Sequence, residues 1–128
     1  MSLISSNKYN LEMWQGSTFS LTVTVKDSAS NVQNLTGYDA RMQIRTGYDA
    51  GTVTESLTVS NGEITITAAA GNLFLELAAT RTANISVDMT NGRPPKTVYV
   101  YDLELIDNNG RVSKLIYGDL NVYGEVTR

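Results

Sequence analysis

Apolar and polar residues alternate along most of this chain, and the alternation predicts strands. From Thr18 to Lys26, Phe19, Leu21, Val23 and Val25 share one face, while Ser20, Thr22, Thr24 and Lys26 share the other. A period of two with one polar face marks an antiparallel strand with water on one side. Tyr38 to Arg45 repeats the pattern, with Ala40, Met42 and Ile44 set against Asp39, Arg41, Gln43 and Arg45. Tyr9 to Trp14 reads as an earlier strand stopped by Gly16, and Leu73 to Leu77 as a short later one. Residues 1–8 carry no such period and are expected to form an arm ahead of a single domain at 9–128. Residues 78–84 are the one helical stretch, two turns at most.

Turn chemistry predicts two hairpins. Asn61-Gly62 between Leu57-Thr-Val-Ser and Glu-Ile-Thr-Ile66 suits a two-residue type I′ turn, because that turn needs positive φ at both positions. The register would pair Val59 with Ile64 and Leu57 with Ile66. The second hairpin turns at Asp107-Asn-Asn-Gly110. A three-residue loop with Gly110 left-handed pairs Ile106 with Val112, Glu104 with Lys114, Leu103 with Leu115 and Tyr101 with Tyr117. The apolar parity then changes at Gly118, which predicts a β-bulge there. Seven to nine short strands punctuated by turns predict an all-β fold, an immunoglobulin-like antiparallel β-sandwich, with a small closed barrel as the alternative.

Composition sharpens the exclusions. Among 128 residues there are Val 11, Ile 7 and Thr 15, residue types that fit a pleated, half-buried surface. Cysteine and histidine are both absent, which removes disulfides, thiolate chemistry, histidine triads and histidine zinc sites. The net charge of −3 argues against a broad nucleic-acid-binding face. No apolar run is long enough to span a membrane, and the first residues do not read as a secretory leader. No phosphate-binding glycine loop or nucleophile elbow occurs.

Few residues are left as candidates for chemistry. Asp102 and Glu104 lie on one strand face, as a carboxylate pair for acid–base work would, but a solvated face with Glu104 paired to Lys114 is the expected arrangement. Asp107-Asn-Asn-Gly110 resembles part of a calcium loop without the closing glutamate, and is read as a turn. Arg41, Gln43 and Arg45 share a polar face, and Arg93 and Lys96 flank the two prolines. Tyr9, Trp14, Tyr48 and Tyr123 are candidate contact anchors; Tyr48, between Gly47 and Gly51, is expected at an interface and Trp14 in the core. Leu3 and Ile4 in the arm are expected to be held by a neighbouring subunit. Leu3, Ile4, Tyr48, Arg93 and Lys96 are therefore the candidate partner-interface residues, with no catalytic, cofactor or metal residue expected.

Several segments resemble small virion proteins of tailed bacteriophages. They are Tyr99-Val-Tyr-Asp-Leu-Glu-Leu105, Gly110-Arg-Val-Ser-Lys-Leu115 with Gly118, and the ending Glu125-Val-Thr-Arg128. Leu35-Thr-Gly-Tyr-Asp-Ala-Arg-Met-Gln-Ile-Arg45, Phe19-Ser-Leu-Thr-Val and Thr80-Arg-Thr-Ala-Asn-Ile85 fit the same group. Their order is similar to the N-terminal domain of siphophage baseplate upper proteins and covers most of residues 9–128. The resemblance implies a structural subunit in the tail, baseplate or fibre-attachment region, placed in the virion after assembly in the host bacterial cytoplasm. It implies other virion proteins as partners, a symmetric or multi-copy assembly, and no enzyme activity, cofactor, nucleic acid, membrane or small-molecule substrate. A capsid-surface decoration protein and a carbohydrate- or receptor-binding β-module are the alternatives. Tyr48 and exposed Trp14 in one shallow groove would favour the last.

Overall fold

The computed structural model describes residues 2–3, 7–49 and 51–127. The strands are β1 (Ser2–Leu3), β2 (Asn7–Lys8), β3 (Leu11–Trp14), β4 (Phe19–Val25), β5 (Asp39–Arg45), β6 (Val53–Thr58), β7 (Ile64–Thr67), β8 (Asn72–Leu77), β9 (Lys96–Ile106) and β10 (Val112–Tyr123). A 3₁₀ turn at Ala68–Ala70 joins β7 to β8, and a single helical turn, α1 (Ala79–Thr82), follows β8 inside the stretch expected to be helical.

Two sheets face each other. One runs β1-β4-β8-β7; in the other, β2 and β3 flank β10, followed by β9, β5 and β6. Calling the strands A to G in order, these sheets are ABED and GFCC′, the arrangement of an immunoglobulin-like sandwich. The alternating faces read from the sequence pack as expected. Phe19, Val23 and Val25 of β4, Leu73, Leu75 and Leu77 of β8, and Ala40, Met42 and Ile44 of β5 are all buried in one core. Near the start of β9 the Tyr99 hydroxyl donates to the Ser86 carbonyl at 2.6 Å, tying that strand to the segment after α1.

The N-terminal strands depart from a wholly antiparallel sandwich. β1 pairs parallel with Thr24 and Val25 of β4. β2 and β3 pair parallel with β10, at Ile116–Tyr117 and Leu120–Tyr123 respectively. Strands separated by nearly the whole chain need no hairpin, so their direction is set by packing alone. Residues expected to be an arm thus pair with both sheets of their own domain.

The hairpin at Asn61-Gly62 does not form. β6 pairs with β5 in one sheet and β7 with β8 in the other, so Leu57 and Ile66 lie on different sheets. The reason lies in Asn61. Its Oδ1 accepts from the Thr58 amide at 3.1 Å and the Glu63 amide at 3.0 Å, and its Nδ2 donates to the Ser56 carbonyl at 3.1 Å. Those bonds occupy the β6 groups that a hairpin partner would use. Gly62 is left-handed, at φ +84, while Asn61 keeps a negative φ, so the segment is a corner between sheets.

The β9–β10 hairpin forms with the expected loop. Val112 faces Ile106 and Lys114 faces Glu104, and Gly110 is left-handed at φ +81. The bulge lies three residues before its expected place, between Lys114 and Ile116, so Leu103 faces Ile116 and Tyr101 faces Gly118. Burial explains the shift. Leu115 and Ile116 are adjacent and both buried, which only an extra residue in the strand allows.

Candidate functional site

The outward face of the GFCC′ sheet gathers most of the candidate residues. β5 contributes Arg41, Gln43 and Arg45, and β9 places Glu104, Asp102 and Val100 directly opposite them. β10 adds Lys114, Tyr117, Asp119, Asn121 and Tyr123, and β3 adds Glu12 and Trp14. Alternation across the pleat puts every one of these side chains on the same side.

The two β9 carboxylates of this face are matched by cations. Arg41 Nε donates to Glu104 Oε1 at 2.7 Å, and Lys114 Nζ lies 3.4 Å from Asp102 Oδ2. Lys114 faces Glu104 in register yet pairs with Asp102, one rung along, because Arg41 has taken Glu104. Lys114 also sits 5.8 Å from the centre of the Tyr117 ring. Arg45 donates to the Gln43 side chain and, through Nη1, to the Gly51 carbonyl at 3.1 Å, which anchors the loop after β5. Exposed pairs of this kind add at most about 1 kcal/mol each. Their role is to set the charge pattern of the face.

Tyr48 stands beside this lattice. It is 68% exposed and borders a shallow cavity of about 250 Å³ shared with Gln43, Arg45, Val100, Asp102 and Glu104. Trp14 lies elsewhere on the face. It is 46% exposed, which corrects the expectation that it sits in the core. Its indole stacks on Tyr123, with ring centres 4.7 Å apart and planes at 22°. Such a stack contributes about 0.5–1.5 kcal/mol beyond area burial. The Tyr123 hydroxyl donates to Glu12 Oε2 at 3.0 Å, and that bond to a carboxylate pushes the phenol above its ordinary pKa. Lys96 faces Tyr123 across β9–β10, so Trp14, Tyr123 and Lys96 form one row. The pairing of Trp14 with Tyr123 was invisible along the chain, because it depends on parallel contact between the beginning and the end of the domain.

The remaining candidates scatter. Arg93 is exposed in the loop before β9. Leu3 lies in β1 opposite Val25, and Ile4 falls outside the described residues. Asp107 behaves as a turn residue, its Oδ1 accepting from the Asn109 and Arg111 amides at 2.9 Å each.

One cluster escaped the sequence reading. Arg81 of α1 holds Glu55 of β6 through Nε and Nη2, and holds Glu63 of the corner through Nη1 at 2.9 Å. The bond to Glu55 raises the already high pKa of the guanidinium. Arg81 thereby joins the helical turn after β8 to β6 and to the crossing between sheets. Charged residues spaced 8 and 18 positions apart along the sequence carry no local pattern that would announce the cluster. Comparison with known proteins finds no family model that matches the chain and no curated protein sequence significantly similar to it.

Proposed function

We propose that this chain is a structural subunit of a tailed-bacteriophage particle, in its tail, baseplate or fibre-attachment region. It works by presenting surface to other virion proteins in a multi-copy assembly, without catalysis. The observation that carries this reading is a broad, rigid sheet face with large side chains left open on it, among them Trp14 and Val98 at 46% and 47% exposure, with Tyr48 at its edge. Aromatic side chains on a stiff scaffold are the anchors that protein interfaces favour. The alternating cations and carboxylates of β5 and β9 give the face a fixed charge pattern, which sets orientation and partner choice more than affinity. The engagement of Asp102 and Glu104 by Lys114 and Arg41 fits a recognition surface better than an acid–base pair.

The test is direct. Particles purified from a lysed host culture are digested and examined by mass spectrometry, and labelled with antibody against the domain under the electron microscope. The expected result is a stoichiometric protein with label at the tail or its tip. Label confined to the head would move the assignment to capsid decoration. Absence from the particles would overturn the reading.

A further inference from the structure

The two sheets end differently where the chain crosses between them. β6 is the outer strand of one sheet and β7 of the other. Along β6, Asn61 occupies the Thr58 amide and the Ser56 carbonyl. β7 has no such cover. The Glu76 amide donates to the Glu63 carbonyl at 2.9 Å, and from there the β7–β8 register turns the backbone groups of Thr65 and Thr67 toward β8. The amides and carbonyls of Ile64 and Ile66 therefore point to the open edge, where no bond to them is found among the described residues. The strand carries no charge, proline or bulge, the devices that usually blunt an edge. Beside it runs an open groove of about 440 Å³, whose apolar lining includes Leu35, Tyr38, Val59, Ile66 and Ala68.

An extended strand laid along this edge would bond the open groups and turn alternate side chains into the groove. The edge offers that strand no counter-charge. Glu63, at its start, is held by Arg81, and its far end runs into Ala68–Ala70. A fitting strand is therefore uncharged, with apolar residues on one face and small polar ones on the other. β7 of a second copy, Ile-Thr-Ile-Thr, is such a strand. In an antiparallel pairing about a two-fold axis at Thr65, Ile64 of each copy faces Ile66 of the other. Those two pairs satisfy every open amide and carbonyl of both strands. Thr65 faces Thr65, a favourable cross-strand pair. The charged cluster around Arg81 in each copy meets the uncharged far end of the other, so like charges never stand opposite. The two apolar grooves close on each other. A slip of one residue would set isoleucine against threonine, which fixes the register.

We propose that two copies of this chain join through β7, antiparallel about a two-fold axis at Thr65, into one continuous sheet with four strands from each copy. The contact belongs to the chain alone and does not rest on membership in a phage particle. A four-residue edge and its groove bury less than the ~1,200 Å² of a standard stable interface, so the free dimer is weak and is strengthened where many copies are held together.

Sedimentation equilibrium of the full chain, from about 10 μM to about 1 mM, should show the average mass rising from monomer toward dimer. Thr65 is exposed, so its variants leave the core alone; their folding is checked by circular dichroism. Thr65→Lys and Thr65→Glu should each weaken association by about tenfold or more, because the axis sets each charge against its own copy. Mixed in equal amounts, the two variants should associate again. Thr65→Cys supplies a single thiol to a chain that has no cysteine. In a non-hydrogen-bonded antiparallel pair that residue lies within disulfide reach of its copy, so mild oxidation should give a disulfide dimer. Thr22→Cys, in the same row but two strands in from the edge, should stay monomeric. A constant monomer mass up to about 1 mM would leave the edge to a strand of some other protein and overturn the proposal. So would a dimer untouched by Thr65→Lys, which would rest on another surface, or equal cross-linking of the two cysteine variants.

Discussion

Gly118 and Tyr9 approach too closely for a side chain to fit between them: a Cβ on Gly118 would lie 2.9 Å from the Tyr9 carbonyl oxygen and 2.7 Å from Asn10 Oδ1. The neighbouring backbone cannot retreat. The Tyr9 carbonyl accepts the Tyr101 hydroxyl, and the Tyr9 amide donates to the Tyr117 carbonyl at 2.8 Å. The glycine that looked like a bulge is the gap through which the first part of the chain joins the last strand. Gly118→Ala should therefore lower stability by about 1–3 kcal/mol, as overpacking does. Gly110→Ala, with nothing within 4 Å of its Cβ, meets only the cost of a left-handed φ, about 1 kcal/mol. Urea midpoints of the two variants should differ in that order.

Asn61 stands in for a missing strand partner along β6. Asn61→Ala leaves the Thr58 amide and Ser56 carbonyl without their side-chain partner and should cost about 1–2 kcal/mol. Gly62→Ala should cost about 1 kcal/mol, from its φ of +84 alone, since no atom lies within 4 Å of the new Cβ. If Gly62→Ala proves the more damaging in chemical denaturation, the account of this corner is wrong.

Arg81 gathers two carboxylates that are 12% and 14% exposed, while its own side chain is 43% exposed. Arg81→Ala leaves two glutamates crowded without a counter-charge. After allowance for solvent screening at the exposed guanidinium, the expected loss is about 1–2 kcal/mol. Arg81→Lys should recover only part, because an ammonium cannot hold Glu55 through two donors. A double-mutant cycle with Glu55→Gln, read by thermal melting, should give a coupling energy clearly above zero.

Burial pushes the Tyr101 phenol well above the ordinary tyrosine value of 10.0. Tyr99 is shifted in the same direction for the same reason. Both groups favour the folded state fully below the unfolded pKa. Above it the unfolded chain releases protons that the folded chain keeps, so stability falls as pH rises, by up to about 1.4 kcal/mol per pH unit for each group. Tyr101→Phe should flatten this alkaline slope while lowering neutral-pH stability by about 1 kcal/mol, because the Tyr9 carbonyl loses its donor. Urea titrations at neutral and at strongly alkaline pH check both signs.

Local pattern alone determined much of this protein. Alternation at Phe19–Val25 and Ala40–Ile44 marked which side chains enter the core, because a strand's two faces are set by its own dihedral angles. Asp107 to Gly110 specified its loop for a similar reason: the left-handed glycine and the aspartate's bonds to nearby amides lie within five residues. Tertiary structure decided everything that depended on competition between distant partners. Leu57 and Ile66 match as well in a hairpin as in a core, and the choice went to separate sheets, where β6 pairs with β5, β7 pairs with β8 and Asn61 closes the free edge of β6. The bulge moved to Leu115 because the core had room for two consecutive apolar side chains there. Trp14 left the core for the surface because its strand settled parallel to β10 with Trp14 facing outward beside Tyr123. The candidate surface is of this second kind, since strands far apart in sequence supply its neighbours and only the closed sheet brings them into register.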